Sequence, residues 1–550
     1  MNLEIASMTR VHPQPNRAIR ADSGVCALPG APGGSWARLA VVGLALVFVA
    51  VGAGGLDVGP QEARLGLAAG ERIGPMGQVL GYWAPDLWPA QVLPSLALTR
   101  LSSTGRPTTA IVRWPAAMAA ILAGWFLVRG MSRMFGTRAS IIFSFCWFSS
   151  LAVIDRSAGA GIDPILGLAT LGAIDRILTR GSDWIAGLWA SLAFLAGGWP
   201  PLAVIALVIL VIGRWGSRFS LPLLLPAVGT VIAWSAVTIG VASVELWAAA
   251  LTLPLTQRPD WTLGLGVLLF LGMPLSPFSL LALSRSIRDA WPMEGRAWVT
   301  GWIQAALAGL IAGSLVPGLG PAARMIALAG LFVGASACLE SVWRNALGPA
   351  ARRAFFSLFS AVLTLWLIAM IYGCFIWILT MPYYRTLGVV MGLMIPVVVA
   401  LGWSALGAGN PRRGLVTLMV LGIGLKLAHW GYYVPEWNYR RSQGPWGRAI
   451  GQWIPRKWSL YTLHDWPDDL SFFIGRPVRQ LRSPRFLNYL PGSESRYVLL
   501  QTQEFENWPD HAPPISLVAR FHDQSGEERV LARTAGLLPV PGQRTLQYTP

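Results

Sequence analysis

Long uninterrupted runs of apolar residues recur along the chain, separated by short polar stretches, and the pattern breaks off near residue 434. A run of roughly 17–25 apolar residues satisfies its own backbone hydrogen bonds as a helix and is long enough to cross a bilayer. Thirteen such runs are expected, near 39–56, 108–128, 139–154, 163–178, 184–199, 200–213, 220–240, 262–282, 298–316, 322–341, 355–380, 386–408 and 414–433. The pair around Trp199-Pro200-Pro201 is short enough to form one tight hairpin. Two regions break the pattern. Residues 57–107 form a long loop after the first run. Residues 434–550 alternate in the manner of a soluble domain, with strands expected at 458–463, 497–500 and 516–521 and helices at 446–453 and 465–473. The expected architecture is an α-helical polytopic membrane protein. A tail (1–38) precedes the membrane domain (39–433), and a soluble α/β domain (434–550) follows it. No internal repeat is present, and the Gly/Pro-rich stretch near 29–34 is the one low-complexity tract.

Arginine placement orients the spans, because Lys and Arg mark cytoplasmic loops. With the N-terminus inside, the cytoplasmic loops carry Arg129, Arg133, Arg138, Arg176, Arg180, Arg214, Arg218, Arg285, Arg288, Arg296, Arg344, Arg352, Arg353, Arg412 and Arg413. The opposite short loops carry Arg156, Arg258 and Arg385. An odd number of spans then places residues 57–107 and the C-terminal domain outside, with the chain in the cytoplasmic (inner) membrane. The alternative for the first run is a cleaved signal peptide, since it ends in the small residues Val51-Gly52-Ala53; the long polar tail before it favours an uncleaved anchor.

Composition sharpens this picture. The 550 residues are 54% hydrophobic and 13% charged, half the charge of an ordinary soluble domain, so lipid must cover much of the surface. The net charge of +17 is spread between apolar runs, which argues against nucleic acid as a partner. The basic residues are almost all Arg; the two lysines are Lys426 and Lys457. Three of the four cysteines (Cys146, Cys338, Cys374) lie inside apolar runs and Cys26 lies in the tail, so the C-terminal domain has no disulfide and cysteine spacing marks no metal site.

An enzyme working outside the cytoplasm has no cytosolic nucleotide donor and needs a lipid-carried substrate, typically a polyprenyl phosphate. Such chemistry requires a carboxylate to take a proton and cations to hold a phosphate. The first outer loop offers Asp57, Glu62, Arg64, Glu71 and Arg72, with Pro60 opening a short helix. There Glu62 is either a catalytic base or an ordinary acid complementing the helix dipole. The segment Asp155-Arg156-Ser157-Ala158-Gly159-Ala160-Gly161-Ile162-Asp163 puts two acids and an arginine beside hydrocarbon, which makes them functional candidates. The structural alternative is an Asp155–Arg156 surface pair with Asp163 as a helix cap. Arg113, just inside the second span, either snorkels or holds a phosphate. Lys426, one turn from His429 in the last span, faces the same two options. His464, Asp465, Asp468 and Asp469 cluster before an apolar helix without metal-ligand spacing, and Asp465 reads there as a cap. No cofactor is required by these patterns; a divalent cation is compatible with a phosphate-bearing donor.

The layout resembles the C-type (GT-C) glycosyltransferases, in particular the group of lipid A aminoarabinose transferases and protein O-mannosyltransferases. The resemblance covers most of the chain and is strongest over 55–215. Gln61-Glu62-Ala63-Arg64 stands where that family has Asp-Glu-Ala-Arg, and Arg113-Trp114-Pro115 resembles its Arg-Leu-Pro. The stretch from Arg156 to Asp163 resembles its Arg…Asp segment. Leu192-Ala193-Phe194-Leu195 with Gly198 resembles Leu-Ala-Phe-Leu-Thr-Lys-Gly, and Phe473-Ile474-Gly475-Arg476-Pro477-Val478 resembles Tyr-Leu-Gly-Arg-Pro-Val. Three departures bear on chemistry. Gln61 replaces the family's catalytic Asp, Ala84 its Lys before Pro85, and Gly197 the Thr-Lys-Gly lysine.

The resemblance implies an inverting glycosyltransferase using a polyprenyl-phosphate-linked sugar and a lipid, glycan or protein acceptor. Glu62, with Asp57 or Asp163, is then the catalytic set. Arg64, Arg113, Arg156 and Lys426 hold the phosphate. A catalytically inactive relative that binds polyprenyl lipids or assists envelope glycan assembly is the second expectation. A transporter is the third, and it lacks the repeated halves and mid-membrane charges such proteins carry.

Overall fold

The computed structural model describes residues 57, 63, 65–67, 88–102, 108–153, 162–179, 181–213, 220–241, 244–256, 265–455, 458, 460–463, 468–475, 478–489, 496–522 and 526–534, with Gly43 besides. Its helices are α1 (Pro89–Leu101), α2 (Thr109–Phe135), α3 (Thr137–Ser149), α4 (Ile162–Leu178), α5 (Asp183–Gly197), α6 (Trp199–Ile212), α7 (Leu221–Val241), α8 (Val244–Thr256), α9 (Leu265–Leu271), α10 (Met293–Leu315), α11 (Gly320–Trp343), α12 (Pro349–Leu379), α13 (Arg385–Gly407) and α14 (Pro411–Ala428).

Among the described residues, seven helical segments are long and apolar enough to cross a membrane: Thr109–Phe135, Leu221–Gly240, Met293–Leu315, Gly320–Trp343, Pro349–Leu379, Pro382–Gly407 and Pro411–Arg440. The expected runs at 139–154, 163–178, 184–199 and 200–213 are helical but shorter, at 13, 17, 15 and 14 residues. The run 262–282 is broken: α9 ends at Leu271, and Pro274 and Pro277 give way to a 3₁₀ segment (Ser276–Leu283), as proline in a helix interior removes a donor. Run 39–56 lies outside the described residues. The tight hairpin expected at Trp199 is present. Gly198, at φ +73°, is the only residue between α5 and α6, and a Cβ there would meet Trp88 Cζ2 at 2.5 Å. Two helices had no counterpart in the apolar pattern, α1 in the first loop and α8 after α7.

The centre of the bundle is α11, whose apolar window is wholly buried. It packs on α3, α4, α6, α10, the 3₁₀ segment and α14. With lipid outside, helix association depends on close van der Waals contact, and small residues permit it. Gly330 of α11 lies on the backbone of α10, where a Cβ would meet the Trp302 carbonyl oxygen at 2.5 Å. Gly167 of α4 lies on Met325 of α11, at 2.7 Å by the same measure.

The two ends of the bundle differ. At one end arginines reach helix C-termini, whose last carbonyls lack intrahelical donors. Arg344 donates to the Phe135 carbonyl at 2.6 Å, Arg412 to that of Trp343 at 3.2 Å, and Arg352 to that of Gly409. These belong to the arginines that the loop pattern grouped on one side. At the other end stand the first turns of α2, α4 and α11 and the last turn of α14. A continuous helix carries α14 through a π-turn (His429–Tyr433) into α15 (Val434–Arg441).

The C-terminal domain begins there, with α16 (Gly444–Trp453), β1 (Leu460–Thr462), α17 (Asp468–Ile474), β2 (Val478–Gln480), β3 (Tyr497–Gln501), α18 (Thr502–Glu506), β4 (Ile515–His522) and β5 (Glu528–Thr534). The sheet order is β2-β1-β3-β5-β4. The contacts of β1 with β2 and β3 are parallel, and those of β5 with β3 and β4 antiparallel. Along β3 the side chains alternate between faces. Tyr497 and Leu499 join Ile450, Leu470 and Ile474 under α16 and α17; Val498 and Leu500 join Leu481, Leu487 and Val530 on the opposite face. The strands expected at 458–463, 497–500 and 516–521 match β1, β3 and β4 in place; β2 and β5 carry arginines that hide their apolar alternation.

Replacing Gly330 with Val should push α11 off α10 and cost about 1–3 kcal/mol, the usual range for overpacking. A drop of several degrees in the thermal unfolding midpoint of the detergent-purified chain is expected, and an unchanged midpoint would contradict this packing.

Candidate functional site

The first loop is pinned at the end of the bundle where α2, α4 and α11 begin. The N-terminal part of α1 docks on the α5–α6 corner. Gln91 Nε2 donates to the Ala196 carbonyl at 2.6 Å, and Trp88 stacks on Trp234 with its edge to Phe194. Upstream, Ala63 and Leu65 are buried in a small cluster with Val112 of α2 and Phe472 of α17. Gly66 brings this turn so close that a Cβ would meet Phe472 Cε2 at 2.5 Å and Val112 Cγ2 at 3.1 Å. The loop segment is thus held between the membrane domain and the C-terminal domain.

Asp57 is the polar counterpart of that apolar contact. Its carbonyl accepts from Arg113 Nη2 at 2.9 Å, and its backbone N–H donates to Asn438 Oδ1 at 2.7 Å. Its carboxylate accepts from Ser442 Oγ at 2.6 Å and lies 3.5 Å from Arg448 Nη1. Ser442 Oγ in turn accepts the Gly444 N–H at 2.8 Å, at the start of α16, where the helix dipole favours an anion. Arg448 also lies over the Phe473 ring, 5.0 Å from its centroid. Arg113 itself is 1% exposed, which makes it a buried guanidinium rather than a snorkelling one.

A second polar group joins α4 to α11. Asp163, 4% exposed, accepts a hydrogen bond from Arg324 Nη1 in an ion pair that is almost wholly buried. Asp163 is therefore more than a helix cap: its carboxylate neutralises a cation on the central helix. Lys426 of α14 is likewise buried, at 1% exposure, with Nζ 5.1 Å from the centre of the Trp430 ring. The snorkelling expected as one option for it is not what the structure has. One turn on, in the π-turn, His429 is buried against Tyr433, their ring centroids 5.1 Å apart. Single π-turns inside α-helices are frequent at functional sites.

Asp57 and Arg113 are thus brought together. Asp163 pairs with Arg324, and Lys426 stands at the same end of the bundle on α14. Glu62, Arg64 and Arg156 lie outside the described residues. Among the described residues no group of three or more His, Cys, Asp or Glu side chains is placed to hold a metal ion. The sequence reading missed Arg324, although a lone arginine near the start of an apolar run is costly in lipid and carries that signal. It also missed Asn438, Ser442 and Arg448, which have no local signature.

No family model and no curated protein matches the chain. The fold does have solved counterparts. The chain is similar to ArnT from Cupriavidus metallidurans bound to undecaprenyl phosphate, with a TM-score of 0.69 and 14% identity over 92% of this chain and 99% of that one. It is similar also to ArnT from the same organism in the apo state, with a TM-score of 0.67 and 15% identity over 93% and 100% of the two chains. At this identity the likeness is one of fold: a multi-pass helical membrane domain with a small C-terminal sheet domain.

Breaking a buried ion pair from one side typically costs about 3–5 kcal/mol, because the remaining charge is left uncompensated. Arg324→Met should therefore destabilise the chain strongly, and adding Asp163→Asn should restore most of the loss. Chemical denaturation in detergent reads both; equal destabilisation by the single and double variants would rule out the pair as the cause.

Proposed function

We propose that this chain is a membrane glycosyltransferase that moves a sugar from a polyprenyl-phosphate donor to a hydroxyl group of a lipid, glycan or protein. The observation that carries this reading is the fold: nearly the whole chain follows ArnT, one structure of which is bound to undecaprenyl phosphate. The placement of Arg113, Asp163, Arg324 and Lys426 at one end of the bundle agrees with it, since a lipid phosphate needs buried cations at the level of its headgroup.

In this reading Glu62 takes the proton from the acceptor hydroxyl as its oxygen attacks the anomeric carbon. The bond from that carbon to the phosphate oxygen breaks, and its electron pair leaves with the polyprenyl phosphate. Attack opposite the leaving group inverts the anomeric centre. Arg64, Arg113, Arg156 and Lys426 offset the charge on the departing phosphate. Asp163 holds Arg324 through their buried ion pair, and Asp57 supports the loop that bears Glu62. Membrane lipids surround the bundle, and the chemistry takes place on the extracytoplasmic side of the cytoplasmic membrane. The N-terminal tail (1–38) is cytoplasmic, and the C-terminal domain (434–550) lies outside with the loop 57–107. The gathering of Arg344, Arg352 and Arg412 at the opposite end of the bundle supports this orientation.

A second reading has a specific basis. Gln61, Ala84 and Gly197 stand where the resembled family has a catalytic carboxylate and two cations. A chain that lost all three would bind the polyprenyl lipid, or serve envelope glycan assembly, without transferring sugar.

Incubation of the purified chain with radiolabelled polyprenyl-phosphate sugars and candidate acceptors separates the two readings. Transfer is expected, and Glu62→Gln should lower it about 10²–10⁴-fold, the contribution of a general base. Lipid binding without transfer by any donor would favour the inactive relative, and full turnover in the variant would remove Glu62 from the mechanism. Reporter fusions within 57–107 and after 434 should score as extracytoplasmic; a cytoplasmic score at either place would invalidate the orientation.

A further inference from the structure

The carboxylate of Asp57 faces the C-terminal domain and not an open site. Its two oxygens meet Ser442 Oγ at 2.6 Å and Arg448 Nη1 at 3.5 Å, and its main chain is tied to Asn438 on one side and Arg113 on the other. Gly444 leaves room for it: a Cβ at that position would come within 2.8 Å of Asp57 Oδ2. Asn438, Ser442 and Arg448 lie 381 to 391 residues away in sequence, on and between the two helices that lead out of the last span. A few residues along, Ala63, Leu65 and Gly66 are held on Phe472 of the same domain.

We propose that Asp57 is a positioning residue, the pin by which the C-terminal domain sets the first loop over the end of the membrane bundle, and that this domain is thereby a working part of the site. The Asp57 carboxylate already accepts from Ser442 Oγ and faces Arg448 at the start of α16, so its oxygens are engaged by the C-terminal domain, as an anchor requires. The role rests on the reading of Glu62 as proton acceptor. Asp57 ties the start of the loop to the C-terminal domain, so its loss should loosen the loop and, in that reading, lower the efficiency of the base. Small misplacements of this kind cost far more in rate than in stability.

The test uses the full chain in detergent, with hydrogen–deuterium exchange read over 57–67 and 438–450. Asp57→Ala should speed exchange in 57–67 at least ten-fold with little change in the spans, and lower sugar transfer by a similar factor. Ser442→Ala leaves the carboxylate intact and should reproduce the exchange change. Asp57→Asn still offers Ser442 an acceptor oxygen and should recover most of both exchange protection and transfer. Unchanged exchange in both Asp57→Ala and Ser442→Ala overturns the proposal. So does an Asp57→Asn variant with full protection and no transfer, because the charge itself would then take part in the chemistry. Glu62→Gln serves as the control. Its exchange pattern stays that of the unaltered chain, and if it retains transfer, the assignment of Glu62 fails while the exchange data still decide the pin.

Discussion

Close burial of one helix against its neighbours sets the rest of this structure. The apolar body of the helix Gly320–Trp343 is covered on every side, and in lipid such a surface gains little from leaving water; close van der Waals contact holds it. Its alanines and glycines permit that contact, and Gly330 lies tightly against Ala306 and the Trp302 carbonyl of the neighbouring helix. The same helix carries charge at both ends. Arg324 in its first turns meets Asp163, and Glu340 near its last turn meets Arg344, which reaches the Phe135 carbonyl. Moving the helix by one residue would separate an ion pair at one end and uncap a neighbour at the other. The core therefore also fixes which charges face each other at the end where the candidate site lies.

The C-terminal domain is continuous with that core. The last span runs on through a π-turn into Val434–Arg441, so continuous helix leads from the membrane bundle into the domain. Tyr384 adds a brace by donating to Glu436 at 2.9 Å, beside the Tyr384–Tyr432 ring contact. The first loop then closes the arrangement, with Asp57 bonded to Ser442 and the turn at 65–67 against Phe472. The described residues of the first loop therefore take their position from contacts with both the membrane bundle and the C-terminal domain.

Much of this was legible along the chain. Spans follow from apolar run length because hydrocarbon leaves a backbone few alternatives. Three of the arginines that the loop pattern grouped, Arg344, Arg352 and Arg412, lie together at one end of the bundle. The strand 497–501 could be read as a buried four-residue apolar run. The candidate site was legible only in part. Arg113 and Asp163 stood out as charges beside hydrocarbon, and the structure places both in buried interactions. Arg324 carried the same signal but was absorbed into an apolar run. Pro274 and Pro277 broke a segment that hydropathy alone had read as one span.

By itself the sequence determined that the chain is a multi-pass membrane protein and where many of its apolar helices fall. Those features are local: each depends on residues a few positions apart and on the solvent around them. Only the tertiary structure decided who partners whom. Asp57 and Ser442 are 385 residues apart, and Asp163 and Arg324 are 161 apart. No periodicity can encode such pairs, because they exist only once packing of the intervening helices has brought distant turns to within a hydrogen-bond length.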